Sequence, residues 1–171
     1  MPRVKVNELL KHATENRYGV AAVNTLNIET VKYVIAAAER ERVPVIVQFY
    51  PGFENYTALR HLAFAACDMA DRASVPVAVH LDHSNSFEIA VKGIRDGFPS
   101  VMVDGSALSF EENVDLTAAV VRTAGISAAG TMRTISSIRT TTPGWIRRWS
   151  LWSVRAAAPW PLRWATPMGP T

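Results

Sequence analysis

Over its first 124 residues the chain repeats one alternation: a short apolar run rich in β-branched residues, a polar residue, then a longer stretch with helical spacing. Strands are expected at 19–23, 44–49, 76–81 and 100–103. These runs are apolar without strict alternation, as strands buried on both faces of a parallel sheet are. Helices are expected over 6–16, 28–42, 57–72, the segment after Ser86, and 110–123. In the segment after Ser86, Phe87, Ala90, Val91 and Ile94 fall at i, i+3, i+4 and i+7, one helical face. Ser86 is its expected N-cap and Gly97 its C-terminal stop. A β-α-β-α rhythm of this kind specifies an α/β fold, either an open doubly wound sheet or a barrel.

The strand ends favour the barrel. Asn24 follows the first run, Gln48 lies near the end of the second, Asp82 and His83 follow the third, and Asp104 and Ser106 follow the fourth. Polar groups at the carboxyl ends of several strands are how barrel active sites are built. A dinucleotide-binding sheet would carry a glycine-rich turn after its first strand, and AAVNTLNIET has no GxGxxG. The expected architecture is therefore α/β, of the (β/α)8 barrel type, with only the first four β/α units present.

Charge divides the chain at the same place. Residues 1–124 hold twelve Lys and Arg against all fifteen Asp and Glu, a formal charge of −3, while residues 125–171 hold six Arg and no acid, a charge of +6. All four His lie in the first part, and all five Trp in the second. The expected organisation is a folded unit over 1–124 and an Arg/Trp/Pro-rich segment over 125–171. No apolar stretch approaches the roughly 20 residues of a membrane span, and the one cysteine, Cys67, sits in an apolar helix-like run. A reducing, cytoplasmic setting without membrane contact is expected.

The chemistry concentrates in VPVAVHLDHSNS, residues 75–86. Period-two alternation puts His80 and Asp82 on one strand face, with His83 where the strand becomes a loop. A neutral imidazole there can bind Zn²⁺, and a neighbouring carboxylate can move a proton on a metal-polarised substrate. The alternative is a satisfied core histidine beside a helix-capping aspartate. SVMVDGS, one unit later, adds a second carboxylate, Asp104, to the same rim; its own alternative is an Asp-Gly turn.

Together, VPVAVHLDHSNSFEIAVKGIRDGFPSVMVDGSALSFEENV closely resembles the central segment of class II, zinc-dependent ketose-bisphosphate aldolases. YGVAAVNTLNIETVKYVIAAAER and VPVIVQFYPGF support the resemblance, which covers residues 1 to about 124. It implies a (β/α)8 barrel, a homo-oligomer in the intact family, and reversible cleavage of fructose or tagatose 1,6-bisphosphate to dihydroxyacetone phosphate and glyceraldehyde 3-phosphate. Asp82 would be the acid/base for the C4 hydroxyl. His83 would be a Zn²⁺ ligand, and Asp104 a further metal-side carboxylate. Zn²⁺ would polarise the ketone and stabilise the enediolate. Asn24 and Ser106 would stand on the substrate side in supporting roles. Where many relatives carry Ser or Thr after the second strand, this chain has Phe49 and Tyr50.

Beyond residue 124 the resemblance implies a glutamate-bearing fifth strand and two later strand-end histidines, whereas residues 125–171 contain no His and no Glu. Gly125–Ser127 are read as the approach to that fifth strand. The composition of 125–171 suggests an altered reading frame of a GC-rich coding sequence. A basic segment for a polyanion, or a divergent tail, are the other readings. Only one family ligand, His83, is then present, since a catalytic Zn²⁺ site uses three. The expectation is an aldolase by family that does not turn over as this chain. The alternative is a non-catalytic half-barrel that associates with a complete aldolase, or binds polyanions through its basic segment. The fourth strand would also be left as an open edge.

Overall fold

The computed structural model describes residues 3–129 and 138–140, with side chains through residue 125. The elements alternate: α1 (Val6–Glu15), β1 (Ala21–Asn24), α2 (Ile28–Glu41), β2 (Val45–Phe49), a 3₁₀ turn (Pro51–Phe53), α3 (Leu59–Arg72), β3 (Val77–Ser84), α4 (Phe87–Asp96), β4 (Val101–Val103), α5 (Phe110–Ala129) and β5 (Ile138–Thr140). The strands form one parallel sheet in the order β1-β2-β3-β4-β5.

The continuous apolar runs are explained by burial on both faces. Val45, Val47, Phe49, Val77, Val79 and Leu81 belong to one core with Val31 and Ile35 of α2, Leu62 and Ala66 of α3, and Ala90 and Ile94 of α4. Ile46 and Ala78, which alternate with them, pack instead on Val6 and Leu9 of α1. The chain just before α1 is tied to the start of β3 by the Val4 N–H to Val77 carbonyl bond. Helix α1 thus covers the inner face at the amino ends of the strands and leaves the carboxyl ends to the strand-end residues. Removing a fully buried Val or Leu from either layer forfeits about 1.5–3 kcal/mol of burial.

Local signals set the boundaries. Ser86 accepts from the Ile89 N–H and so caps α4, and Gly97 ends that helix at φ 96°, where a side chain would be strained. Asn27 and Thr30 form a reciprocal capping box at α2. Ser109 and Glu112 form another before α5: the Glu112 N–H donates to Ser109 Oγ and the Ser109 N–H donates to the Glu112 carboxylate. That carboxyl is held below the ordinary glutamate range by the two Ser109 hydrogen bonds.

Three features differ from the sequence expectations. Helix α5 runs through Gly125–Ser127 to Ala129, so these residues are helical and do not begin a strand. Strand β4 is not an edge, since it pairs with β5 through Val101–Ile138 and Val103–Thr140, and the edge strands among the described residues are β1 and β5. At β1, Ala21 and Ala22 are exposed. Finally, β3 continues to Ser84, past the point where a loop was expected. Apart from β5 and the end of α5, the expectations for residues 125–171 lie outside the described residues.

Candidate active site

The parallel register aligns the inner-face positions Asn24, Gln48 and His80 across three strands. Two residues beyond His80, Asp82 takes the next inner-face position at the rim. Its Oδ2 accepts from Asn24 Nδ2 at 3.1 Å and from Gln48 Nε2 at 2.8 Å. The side chain is 12% exposed, and among the described residues no Lys or Arg bridges it. One carboxylate oxygen is thus loaded by two neutral amides. The other, Oδ1, faces the His83 ring, with Nε2 at 3.7 Å. A carboxyl in this arrangement is fixed in orientation and keeps one oxygen free to take and return a proton.

His83 reaches the rim because the β3–β4 ladder is irregular. Leu81 pairs with Val101 and Ser84 with Val103, leaving Asp82 and His83 in a bulge, a device that re-aims side chains near active sites. His83 adopts φ 37°, in the left-handed region that costs a non-glycine residue about 1–2 kcal/mol. Two consecutive side chains can therefore face the rim instead of opposite sides of the sheet. His83 Nδ1 lies 2.8 Å from Asp104 Oδ2. An ionised carboxylate only accepts, so in the neutral ring Nδ1 carries the hydrogen and Nε2 is left with its lone pair.

Asp104 is positioned from below. Its N–H donates to the Ser84 carbonyl at 2.8 Å, and its Oδ1 accepts from the Ser106 N–H at 3.0 Å. Ser106 therefore acts on Asp104 through its backbone, with its side chain exposed. Gly105 allows α5 to approach, since a Cβ there would stand 2.4 Å from Oδ1 of the buried Asn113. His80 is a core histidine, buried and within 2.7 Å of Ser100 Oγ through Nδ1. His12 lies on α1, at the opposite end of the strands from the site, and His61 on α3.

All five sequence candidates are thus at one rim. Asn24, Asp82, His83 and Asp104 are joined through side chains, and Ser106 through its N–H. Gln48, counted among the strand-end polar groups but given no role in the site from sequence, is the further contact. Its signal was a lone amide inside the apolar run VPVIVQF. Phe49 points into the core, edge-on to Phe98 at 5.6 Å, while Tyr50 stays partly exposed against Phe53.

His83 suits a divalent metal as one ligand: its far nitrogen is oriented by a carboxylate on Nδ1, the arrangement that fixes metal-binding imidazoles. Among the described residues, no group of three His, Cys, Asp or Glu is placed to hold a metal ion. The described residues therefore fit an edge of a metal centre and do not complete one.

Comparison with known proteins identifies the family. The family model described as fructose-bisphosphate aldolase class-II matches residues 4–130. The fructose-bisphosphate aldolase class 2 of Synechocystis is 39% identical over 153 residues, covering 82% of this chain and 42% of that protein. The fructose-bisphosphate aldolase of Thermus caldophilus is 44% identical over 117 residues, covering 68% of this chain and 38% of that protein. Among solved structures, the YdjI aldolase from Escherichia coli K12 superposes with a TM-score of 0.70 at 33% identity, covering 81% of this chain and 50% of that one. The chain thus spans about half the length of the relatives it matches. With four β/α units of the expected order, the rim residues gathered at their carboxyl ends, and a family match over most of its length, the chain belongs to the class-II fructose-bisphosphate aldolase family.

Proposed function

We propose that this chain carries the proton-transfer edge of a metal-dependent ketose-bisphosphate aldolase site and does not turn over substrate by itself. The family reaction is reversible cleavage of fructose 1,6- or tagatose 1,6-bisphosphate to dihydroxyacetone phosphate and glyceraldehyde 3-phosphate. The observation that carries the reading is the Asp82 carboxylate, with one oxygen fixed by Asn24 and Gln48 and the other turned to His83. Asp82 takes the C4 hydroxyl proton in cleavage and returns it in condensation. Asn24 and Gln48 hold it in place, and Asn24 and Ser106 flank the substrate. His83 and Asp104 hold the metal side. Zn²⁺, when bound, supplies Lewis-acid polarisation of the substrate ketone.

The absence of turnover rests on donor number. His83 is the one rim histidine among the described residues, and residues 125–171 contain neither His nor Glu. Three protein ligands is the usual set for catalytic zinc. Two assays on the purified chain test this: zinc binding by competition with a chromophoric chelator, and cleavage of the two bisphosphates in a coupled assay. Weak zinc binding that is lost in His83→Ala, with no cleavage, is the expected result. Zinc-dependent turnover by this polypeptide alone would overturn the inactivity, and zinc binding indifferent to His83→Ala would overturn the metal assignment.

A further inference from the structure

The turn after β2 sets an aromatic pair beside the site. In the β2–β3 register Phe49 pairs with Leu81, and Tyr50 continues extended at φ −90° and ψ 124°. Period two therefore puts Tyr50 on the face of Gln48, level with Asp82 on the next strand. Its ring is backed by Phe53, edge-on at 5.5 Å, and lies over Gly52, where a Cβ would run into it. The 3₁₀ turn, begun by the buried Pro51, packs against β3, and just beyond it Glu54 is bridged by Lys92 of α4. Tyr50 and Phe53 nevertheless stay 41% and 43% exposed. A turn pinned in this way presents ring surface at the rim with little left to order on binding.

Charge narrows what can lie on that surface. The segments between each strand end and the following helix, residues 24–29, 50–58, 82–88 and 104–112, hold seven Asp and Glu and no Lys or Arg. Asn27, Ser86 and Ser109 cap α2, α4 and α5, and an acid stands in the first turn of each. A phosphate dianion meets like charge at all three helix starts. Of the helices that begin at this rim, only α3 opens without a side-chain cap or an acid, with Arg60 in its first turn. An uncharged ligand suits the rest. A chain of hydroxyls can lay its C–H side on the Tyr50 ring and hydrogen-bond through its oxygens to Asn24 and Asp82.

We infer that Tyr50, backed by Phe53, is a stacking platform of the site, and that the rim from β1 to β3 takes the uncharged, hydroxyl-bearing stretch of a sugar and not a phosphate. The inference rests on the aldolase reading for the choice of ligand.

Saturation-transfer NMR on the full chain, with zinc removed by a chelator and D-fructose and D-tagatose as probes, tests it without reading metal or turnover. Both neutral ketoses should bind. Tyr50→Ala should weaken that binding by about fivefold or more, whereas Tyr50→Phe, which keeps the ring, should hold it within about twofold. All five Trp are unaltered in these variants, so stacking on them would not follow Tyr50. No binding of either ketose, or binding indifferent to Tyr50→Ala, would overturn the inference. So would tighter binding of the 1,6-bisphosphates that is lost in Arg60→Ala, which would put a phosphate at the start of α3. Where Tyr50→Ala does not fold by circular dichroism, Tyr50→Leu keeps the bulk and removes the ring. Failure here would leave zinc binding by His83 untouched, and failure of the zinc assay would leave ketose stacking untouched, so the two readings fail separately.

Discussion

Nδ1 of His83 and Oδ2 of Asp104 lie 2.8 Å apart across two neighbouring strands, and this contact determines which ring nitrogen faces the open rim. Removing Asp104 frees the imidazole to rotate and to change tautomer. Asp104→Ala is expected to lower zinc affinity by roughly tenfold or more, the usual scale for losing a partner that orients a metal-binding histidine. Chelator competition against zinc measures it, and an unchanged affinity would show that Asp104 does not orient His83.

Gln48 donates to the same Asp82 oxygen as Asn24. Gln48→Ala leaves a mostly buried carboxylate with one amide donor, and a hydrogen bond to a charged group contributes about 1.5–3 kcal/mol. Urea unfolding at neutral pH should show a loss of that order. A loss below about 0.5 kcal/mol would mean that Asp82 is held by other means.

The Ser84 hydroxyl is fully buried and has no hydrogen-bond partner among the described residues. An unsatisfied buried hydroxyl costs about 1–3 kcal/mol, and alanine removes it without leaving a large void. Ser84→Ala is therefore expected to raise stability by about 1 kcal/mol. A destabilised variant in thermal unfolding would reveal a partner for that hydroxyl.

Gly105→Ala forces a Cβ to within 2.4 Å of Asn113 Oδ1 and 2.5 Å of its Cγ. Asn113 is buried, so α5 and the turn carrying Asp104 must separate, at about 1–3 kcal/mol. Gly19→Ala meets nothing within 4 Å and is the control expected to leave the melting temperature nearly unchanged.

The Glu112 carboxyl, depressed by its hydrogen bonds to the Ser109 N–H and hydroxyl, sets a direction for acid unfolding. A carboxyl with a lowered folded pKa contributes stability that is fully present above its ordinary value of 4.5 and is lost as pH falls through the lower folded value. Glu112→Gln should flatten that part of the stability–pH curve. Lys92 gives the alkaline counterpart. Burial pulls its pKa down, but bonds to Asp96 and Glu54 outweigh this and raise it, so their contribution is lost as pH rises through the folded value. Parallel curves for Glu112→Gln and the unaltered chain between pH 3 and 5, the range that brackets a glutamate's ordinary titration, would remove the assignment.

Much of the scaffold could be read from residue order. The runs around Val47 and Val79 and the 3.6-residue spacing of Phe87, Ala90, Val91 and Ile94 depend on local burial, and the structure places those elements where expected. The pairing of HLDH with VMVDGS likewise brought Asp82, His83 and Asp104 to one rim. The bulge was not legible, because it arises from the offset between Leu81–Val101 and Ser84–Val103, a relation between two strands that neither contains. Gln48 was visible as a strand-end amide, but its role was not legible for a similar reason: its partner is 34 residues away, and only the β2–β3 register brings them together. The capping box of Ser109 and Glu112, by contrast, was available in the string SFEE before α5.

The two amides on Asp82 also bear on how the sheet assembles. Asn24 comes from β1 and Gln48 from β2, so the carboxylate of β3 is satisfied only when all three strands have docked in one alignment. A one-residue slip of β1 would turn Asn24 to the other face and bring Val23 to the carboxylate in its place. Four-residue β1 is short and has one free side, so hydrophobic contacts alone discriminate weakly between its alignments. The polar triad supplies the missing discrimination, so the carboxylate proposed to move the proton also selects one strand alignment over its one-residue neighbours.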